Sequence, residues 1–137
     1  MDNLHEQLIR DEGMVLRPYR DHLGFLTIGI GHNLDAKPIT RRAALVILDD
    51  DITDAKQGLM AKWPWMRDLS PARLGAMVNL GFNVGVAGVS GFKKMLAAME
   101  SGRWDAAATE LLDSRYATQV GTRATRLAEQ IRTDRWT

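Results

Sequence analysis

The sequence contains no cysteine, which excludes disulfide bonds, thiol nucleophiles and metal centres with sulfur ligands. A zinc site would then need histidines and carboxylates, but the three histidines, His5, His22 and His32, are scattered along the chain. We therefore expect no metal ion and no other cofactor.

Long hydrophobic runs are also missing. No stretch of about 18 apolar residues occurs, so we expect neither a transmembrane helix nor stable insertion into a membrane. The chain starts with MDNLHE, which lacks the basic and apolar regions of a secretory signal. We expect the protein to remain in the cytoplasm until something else releases it.

Neither sign of charge dominates. The 137 residues include 18 lysines and arginines and 17 aspartates and glutamates, for a formal net charge of +1. This balance is not that of a nucleic-acid-binding protein, so we expect no nucleic-acid partner. Residues 115–137 are more basic, which is typical either of contact with an anionic polymer or of a solvated helix face.

The residues that are present are those of an ordinary globular protein, 45% hydrophobic and 26% charged, and the length predicts one domain. An apolar stripe predicts a helix over the first 13 residues, with Glu12 at its end near the buried side. Alternating side chains then predict strands at 17–21 and 25–30, joined by a hairpin loop at 22–24.

After Pro38 the pattern is helical. N-caps and apolar periodicity predict helices at about 40–60, 71–81, 90–99, 104–112 and 122–133. The glycine-rich stretch between 81 and 91 is expected to form turns and short helical pieces.

The predicted fold is α+β and mainly helical, in a single domain spanning 1–137. We expect a small lobe that holds the β-hairpin, about 14–60, beside a larger helical lobe formed by 1–13 plus 61–137. A cleft between two lobes is the natural place for a ligand.

Three polar residues in the first third suit the hydrolysis of a glycosidic bond. That reaction needs an acid to protonate the leaving oxygen and a nucleophile to attack the anomeric carbon. A general acid needs a raised pKa, which apolar surroundings supply, so a helix-end residue such as Glu12 suits this role. Asp21 and Thr27 are expected on one face of the hairpin, about 7–8 Å apart, where they can hold one water. On spacing alone, the interpretation of the three as ordinary surface residues is favoured.

The order of several motifs resembles the phage-type lysozyme (endolysin) family of muramidases over nearly the whole chain. The family's signature is a Glu, an Asp nine residues later and a Thr six residues after that, and Glu12, Asp21 and Thr27 match it without gaps. The motifs that carry the resemblance are DEG at 11–13, YRD at 19–21, GFLTIGIGH at 24–32, NLGFNVG at 79–85, GVSGF at 88–92, GRWDAA at 102–107, SRY at 114–116 and RATR at 123–126.

The resemblance implies a lysozyme-like fold and an enzyme that hydrolyses the β-1,4 bond between N-acetylmuramic acid and N-acetylglucosamine in peptidoglycan. Glu12 would be the general acid, Asp21 would accept a proton from the attacking water, and Thr27 would hold that water, with inversion of the anomeric carbon. The resemblance further implies that the protein is a monomer and that it lyses a bacterial host. The enzyme would act on the wall in the periplasm after a holin-type protein has opened the membrane.

The same resemblance suggests roles for residues outside the trio. Arg123 matches an arginine near the catalytic Glu and is expected to position rather than react, because a cation opposes the raised pKa of an acid. Asn83 is expected either to bind a saccharide or to cap a turn, and Phe92 to line the mouth of the cleft. For His32 an ion pair with Asp51 is favoured over a metal-binding or basic role.

The chain departs from larger members of the family in one place. The stretch from His32 to the helix that Ser70 caps is shorter, which reduces the small lobe and its sugar subsites. Two other functions stay open: a related enzyme, such as a chitinase-like hydrolase or a lytic transglycosylase, and a non-enzymatic wall-binding module. The presence of both Asp21 and Thr27 argues against a transglycosylase. The presence of all three candidate catalytic residues, without a separate wall-binding repeat, argues against a wall-binding module.

Overall fold

The computed structural model describes all 137 residues, which form helices and one three-stranded antiparallel sheet. This composition confirms the α+β, mainly helical class. The strands are β1 (Val15–Arg20), β2 (Leu26–Gly29) and β3 (His32–Asn33). The α-helices are α1 (Asn3–Glu12), α2 (Arg41–Lys62), α3 (Pro71–Val89), α4 (Lys93–Glu100), α5 (Trp104–Leu112), α6 (Arg115–Val120) and α7 (Thr122–Thr133), with a 3-10 helix at Pro64–Asp68.

The chain divides into two compact units, Met1–Leu48 and Asp49–Thr137. The first unit holds α1, the sheet and the start of α2, and the second holds the remaining helices. The lobe boundaries expected from the sequence, and the cleft between those lobes, stay predictions.

The sheet has the order β1-β2-β3, so β2 is its central strand. Thr27 on β2 lies opposite Tyr19 on β1 and Asn33 on β3. Between the pairs Val15–Gly29 and Tyr19–Thr27 the register shifts, because three residues of β1 face one of β2. Pro18 lies in this bulge, where its missing N–H costs no ladder hydrogen bond.

The two predicted strands are confirmed with ends shifted by one or two residues, whereas β3 was not predicted. A strand of two residues is too short to show alternation in the sequence. Helix α1 ends as predicted, because Gly13 adopts a φ of 77° and donates its N–H to the Ile9 carbonyl at 2.8 Å. No residue of α1 is fully buried.

Side-chain caps place the starts of α2 and α3 where the sequence predicts them. The Thr40 hydroxyl accepts the Ala43 N–H at 3.1 Å, and the Ser70 hydroxyl accepts the Arg73 N–H at 3.3 Å. The expectation of turns and short helical pieces over 81–91 is confirmed in part. Residues 81–84 continue the helix beyond its predicted end, but Gly85 interrupts it with a non-helical φ of 79° and ψ of 156°, and only a short helical piece follows to Val89.

Two further details of the helical part differ from the predictions. Ser90 follows α3 and donates its backbone N–H to Ala87, so it ends that helix instead of starting α4. Helix α6, which the Ser114 side chain caps through the Ala117 N–H, was not predicted because six residues carry too little periodicity.

The apolar core lies in the second unit. Its fully buried side chains come from α2, the 3-10 helix and α3 to α7, and several are flexible methionines that fill irregular space. Trp63, Trp65 and Trp104 pack against this core, while Trp136 is 68% exposed. The Arg73 guanidinium stacks over the Trp104 ring at 3.9 Å and donates to the Ile131 carbonyl at the end of α7.

By length and hydropathy, none of the helices qualifies alone as a membrane span; α3 and α4 meet those criteria only as a pair, bent by 111°.

Candidate active site

Glu12, Asp21 and Thr27 all lie in the first unit, on three consecutive elements. Glu12 is the last residue of α1, Asp21 directly follows β1, and Thr27 lies in β2. The three residues differ in solvent exposure: Glu12 is exposed, Asp21 is half-buried, and Thr27 is buried, with 3% of its surface accessible to solvent. Thr27 is also the only fully buried side chain of this unit.

The Asp21 side chain organises the predicted hairpin. Its Oδ1 accepts the backbone N–H groups of Leu23 and Phe25, each at 2.9 Å, while its own N–H donates to the Phe25 carbonyl at 2.9 Å. Gly24 completes the turn with a φ of 86°, a conformation that favours glycine. The hairpin loop at 22–24 is therefore confirmed, and Asp21 Oδ2 remains free to accept a proton.

The Thr27 hydroxyl is fixed by the backbone of the same residue, Phe25. It donates to the Phe25 carbonyl at 2.8 Å, so the Phe25 N–H holds Asp21 and the Phe25 carbonyl holds Thr27. A hydroxyl that donates its proton in one hydrogen bond keeps lone pairs that can accept another. The geometry thus leaves one acceptor atom on Asp21, Oδ2, and one on Thr27, Oγ1.

The Glu12 carboxylate reaches the turn between β2 and β3. Its Oε2 lies so close to Gly31 that a Cβ at that position would be 2.8 Å away. The Glu12 carboxylate therefore lies beside Gly31.

Asp35 holds the start of β2, a role that the sequence analysis did not predict. Its Oδ2 accepts the Leu26 N–H at 2.7 Å and lies 3.4 Å from the Arg20 guanidinium. An acidic residue in the polar turn after a short strand is a weak signal, so only the fold identifies this role. Asp35 satisfies a backbone donor at the start of the strand that carries Thr27.

His32 lies on β3, where its Nε2 is 2.9 Å from the Lys37 carbonyl oxygen. Asp51 lies in α2 and belongs to the second unit, so the ion pair between the two residues stays a prediction. The acidic run 49–51 lies on this helix, and no group of three or more His, Cys, Asp or Glu side chains is placed to hold a metal ion.

The predicted substrate-binding residues lie in the second unit. Arg123 of α7 donates to the Asn79 side-chain oxygen at 3.0 Å and to its carbonyl at 3.2 Å. Asn83 is exposed within α3, and Phe92 is half-buried, with its ring edge-on to Tyr116 at 5.8 Å. Their contacts with substrate stay predictions. Asn79 was not predicted to orient Arg123, because the two residues are distant in sequence.

Tyr116 has an unusual environment beside these residues. Its hydroxyl is buried and has no hydrogen-bond partner. Burial raises the pKa of Tyr116 above its usual value, and the nearby charge of Arg123 opposes this shift.

Comparisons with known proteins cover nearly the whole chain. Residues 10–131 match the model of the family described as Phage lysozyme. The chain is 31% identical to Probable T4-type lysozyme 2 of Dictyostelium discoideum, over 93% of this chain and 92% of that protein. It is 29% identical to Probable T4-type lysozyme 1 of the same organism, over 97% of this chain and 95% of that protein.

A third relative is much longer. The chain is 30% identical to the Pre-baseplate central spike protein Gp5 of Enterobacteria phage T4, over 91% of this chain but 27% of that protein. The chain therefore spans about a quarter of the spike protein and nearly all of both T4-type lysozymes. The alignments with the latter run over 157 and 163 positions, so those relatives carry residues that have no counterpart among the 137.

Proposed function

This chain belongs to the phage lysozyme family and is a lysozyme, a hydrolase of peptidoglycan, and on that premise we propose that Glu12, Asp21 and Thr27 are its catalytic residues. The bond that they cleave is the β-1,4 linkage between N-acetylmuramic acid and N-acetylglucosamine, with inversion of the anomeric carbon. The main support is the double use of the Phe25 backbone, whose N–H holds Asp21 and whose carbonyl holds Thr27, so that one acceptor atom is left on each of the two side chains.

Glu12 acts as the general acid. It protonates the glycosidic oxygen as the bond between that oxygen and the anomeric carbon breaks. The carboxyl is exposed in the free enzyme, and bound sugar replaces the water around it. Removal of water favours the neutral, proton-donating form of a carboxyl group.

Asp21 and Thr27 orient the attacking water. Asp21 Oδ2 accepts one proton of the water and removes it as the new bond forms. Thr27 Oγ1, whose own proton is held by the Phe25 carbonyl, accepts a hydrogen bond from the other. With both protons held, a lone pair of the water oxygen is left to attack the anomeric carbon. One displacement by water inverts that carbon, whereas a covalent intermediate would retain it.

Asn83, Phe92 and Arg123 are proposed to bind or position the substrate from the second unit. The two hydrogen bonds from Arg123 to Asn79 limit the orientations of its guanidinium. A guanidinium held in one orientation is suited to positioning the substrate. It is not suited to proton transfer, because an arginine stays protonated throughout. The proposed ion pair of His32 with Asp51 has a structural role and takes no part in the reaction.

We also propose that the enzyme lyses a bacterial host as a monomer. It accumulates in the cytoplasm and reaches the wall through a lesion made by a holin-type membrane protein. The motif order that resembles endolysins supports this role.

A second candidate role differs in timing. Because one relative is named a pre-baseplate central spike protein, wall cutting by a component of a phage particle is the alternative. If the protein is detected in purified phage particles and not free in the lysate, this second role is supported and the role in host lysis fails.

Glu12→Gln tests the assignment of the acid. The variant keeps the size of the side chain but has no carboxyl proton to donate, so digestion of purified peptidoglycan is expected to stop. Glu6→Gln, which changes an exposed glutamate of the same helix, is the matched control and should digest the wall normally. Circular dichroism spectra of both variants should match the unmodified protein.

Full activity of Glu12→Gln would overturn the proposal. Mass spectrometry of the products of the unmodified protein separates hydrolysis from the transglycosylase alternative. Hydrolysis adds the mass of one water for each cleaved bond. Products that lack this mass and carry an anhydro-muramyl end would show that the enzyme is a transglycosylase.

A further inference from the structure

Gly31 is under two constraints that no other glycine of this chain combines. Its φ is +67°, a left-handed conformation that side chains rarely adopt. A Cβ built on it would lie 2.8 Å from Glu12 Oε2 and 3.1 Å from Glu12 Cδ. Of the six other glycines with positive φ, five have nothing within 4 Å of such a Cβ, and at Gly102 the nearest atom is an ordinary contact at 3.8 Å.

The register of the sheet explains why Glu12 reaches this glycine. Val15 of β1 pairs with Gly29 of β2 in antiparallel sense. Gly13 lies two residues before Val15, and Gly31 lies two residues after Gly29. The end of α1 and the turn between β2 and β3 therefore meet beside the paired ends of the two strands.

We propose that Gly31 is a positioning residue for Glu12, whose carboxyl occupies the space that any side chain at Gly31 would fill. The inference rests on the proposed role of Glu12 as the general acid. The left-handed backbone alone explains a glycine at the other positions, whereas at Gly31 the absence of a side chain also fixes where the acid lies.

A methyl group at Gly31 is expected to move the acid more than it disturbs the fold. The atoms that it would meet belong to the far end of a flexible, exposed side chain, which can rotate away. The reaction depends on the carboxyl position, because a misplacement of about 1 Å in a catalytic site costs up to about a hundredfold in rate. The expected effect of Gly31→Ala is a fall in kcat of about ten- to a hundredfold, with KM little changed.

Gly29→Ala is the matched control. Gly29, the last residue of β2, lies two residues before Gly31 and has a φ of +72°, so an alanine there suffers similar backbone strain. Nothing lies within 4 Å of its built Cβ, so this alanine leaves Glu12 undisturbed. The difference between the two variants therefore isolates the contact with the carboxyl from the cost of the backbone conformation.

The experiment compares both variants in the full chain. Steady-state kinetics on purified peptidoglycan gives kcat and KM, and NMR gives the chemical shifts of the Glu12 side chain. We expect Gly31→Ala to lower kcat and shift the Glu12 signals, and Gly29→Ala to change neither by a comparable amount. Equal kcat in the two alanine variants, or unmoved Glu12 signals in Gly31→Ala, would overturn the inference.

A second pair of variants covers a failure to fold. Asparagine tolerates the left-handed region better than alanine, so Gly31→Asn and Gly29→Asn repeat the comparison with less backbone strain. The same two outcomes decide it.

Glu12→Gln separates this inference from the proposed function. If that variant keeps full activity, Glu12 is not the acid and the proposed function fails together with the role of Gly31. If it is inactive while Gly31→Ala and Gly29→Ala perform alike, only the role of Gly31 fails.

Discussion

The two units of this protein are built in opposite ways. The first, Met1–Leu48, has one fully buried side chain, Thr27, and it contains the proposed catalytic trio. The second, Asp49–Thr137, contains every fully buried apolar side chain of the chain. Short-range hydrogen bonds with the backbone of one residue, Phe25, hold two of the proposed catalytic groups, whereas helix packing holds the second unit together.

The difference teaches that activity and stability depend on different residues here. A change of one atom in the hairpin should remove activity and leave the free energy of unfolding almost unaltered. A cavity in the helical core should lower that free energy and leave each folded molecule active. The following variants test both halves of this division.

The largest effect is expected from Asp21→Asn. The amide keeps an oxygen to accept the Leu23 and Phe25 N–H groups, so the turn survives, but it cannot take a proton from water. Loss of a general base costs about 10²- to 10⁴-fold in rate. Wall digestion should fall by that factor, with a melting temperature close to that of the unmodified protein. Asp11→Asn, an exposed neighbour in the same unit, is the control. Unchanged activity would place the base elsewhere.

The next effect concerns the core. Leu80 of α3 has no exposed surface, and Leu80→Ala is expected to lower the free energy of unfolding by about 2–5 kcal/mol through lost burial and the cavity left behind. Leu16→Ala, at a side chain that is 80% exposed in the first unit, should change it by less than about 0.5 kcal/mol. Urea unfolding measures both. Similar losses in the two variants would break the contrast between the units.

The smallest effect is expected from Tyr116→Phe. The hydroxyl that it removes is buried without a partner, so the free energy of unfolding near pH 7 should stay the same or rise slightly. Burial raises the pKa of Tyr116 in the folded state, so the unfolded chain releases the hydroxyl proton at a lower pH than the folded protein does. The free energy of unfolding is therefore unaffected by this proton below the unfolded pKa of about 10, and it falls as pH rises from there through the folded value.

Urea unfolding at pH 8 and pH 11 measures this linkage. The unmodified protein should lose more stability between the two values than Tyr116→Phe, and Tyr19→Phe serves as the control for a half-buried tyrosine. An equal loss in Tyr116→Phe and the unmodified protein would contradict the role assigned to burial.

Local signals explain which parts of the fold could be predicted from sequence. The end of α1 at Gly13, the hairpin loop at 22–24 and the caps Thr40 and Ser70 each depend on a few neighbouring residues. The continuation of α3 past the buried Gly81 depends on packing against the core, which no local pattern shows, whereas the positive φ of Gly85 interrupts the helix as a glycine-rich stretch leads one to expect.

The candidate site was predictable only in part. The order of motifs along the whole chain singled out Glu12, Asp21 and Thr27, since their spacing alone does not. The hydrogen bonds of Phe25 are local, but the approach of Glu12 to Gly31 depends on the strand register that pairs Val15 with Gly29. No local pattern carries that register, so only the three-dimensional structure could identify the role of Gly31.

Proton NMR of the first product tests the central claim most directly, because it reports how the water reaches the anomeric carbon. The claim is that a water held by Asp21 and Thr27 attacks in one displacement. A soluble peptidoglycan fragment should then release a new reducing end in the α-configuration, before mutarotation mixes the anomers. An initial β-anomer would show retention and would contradict the account.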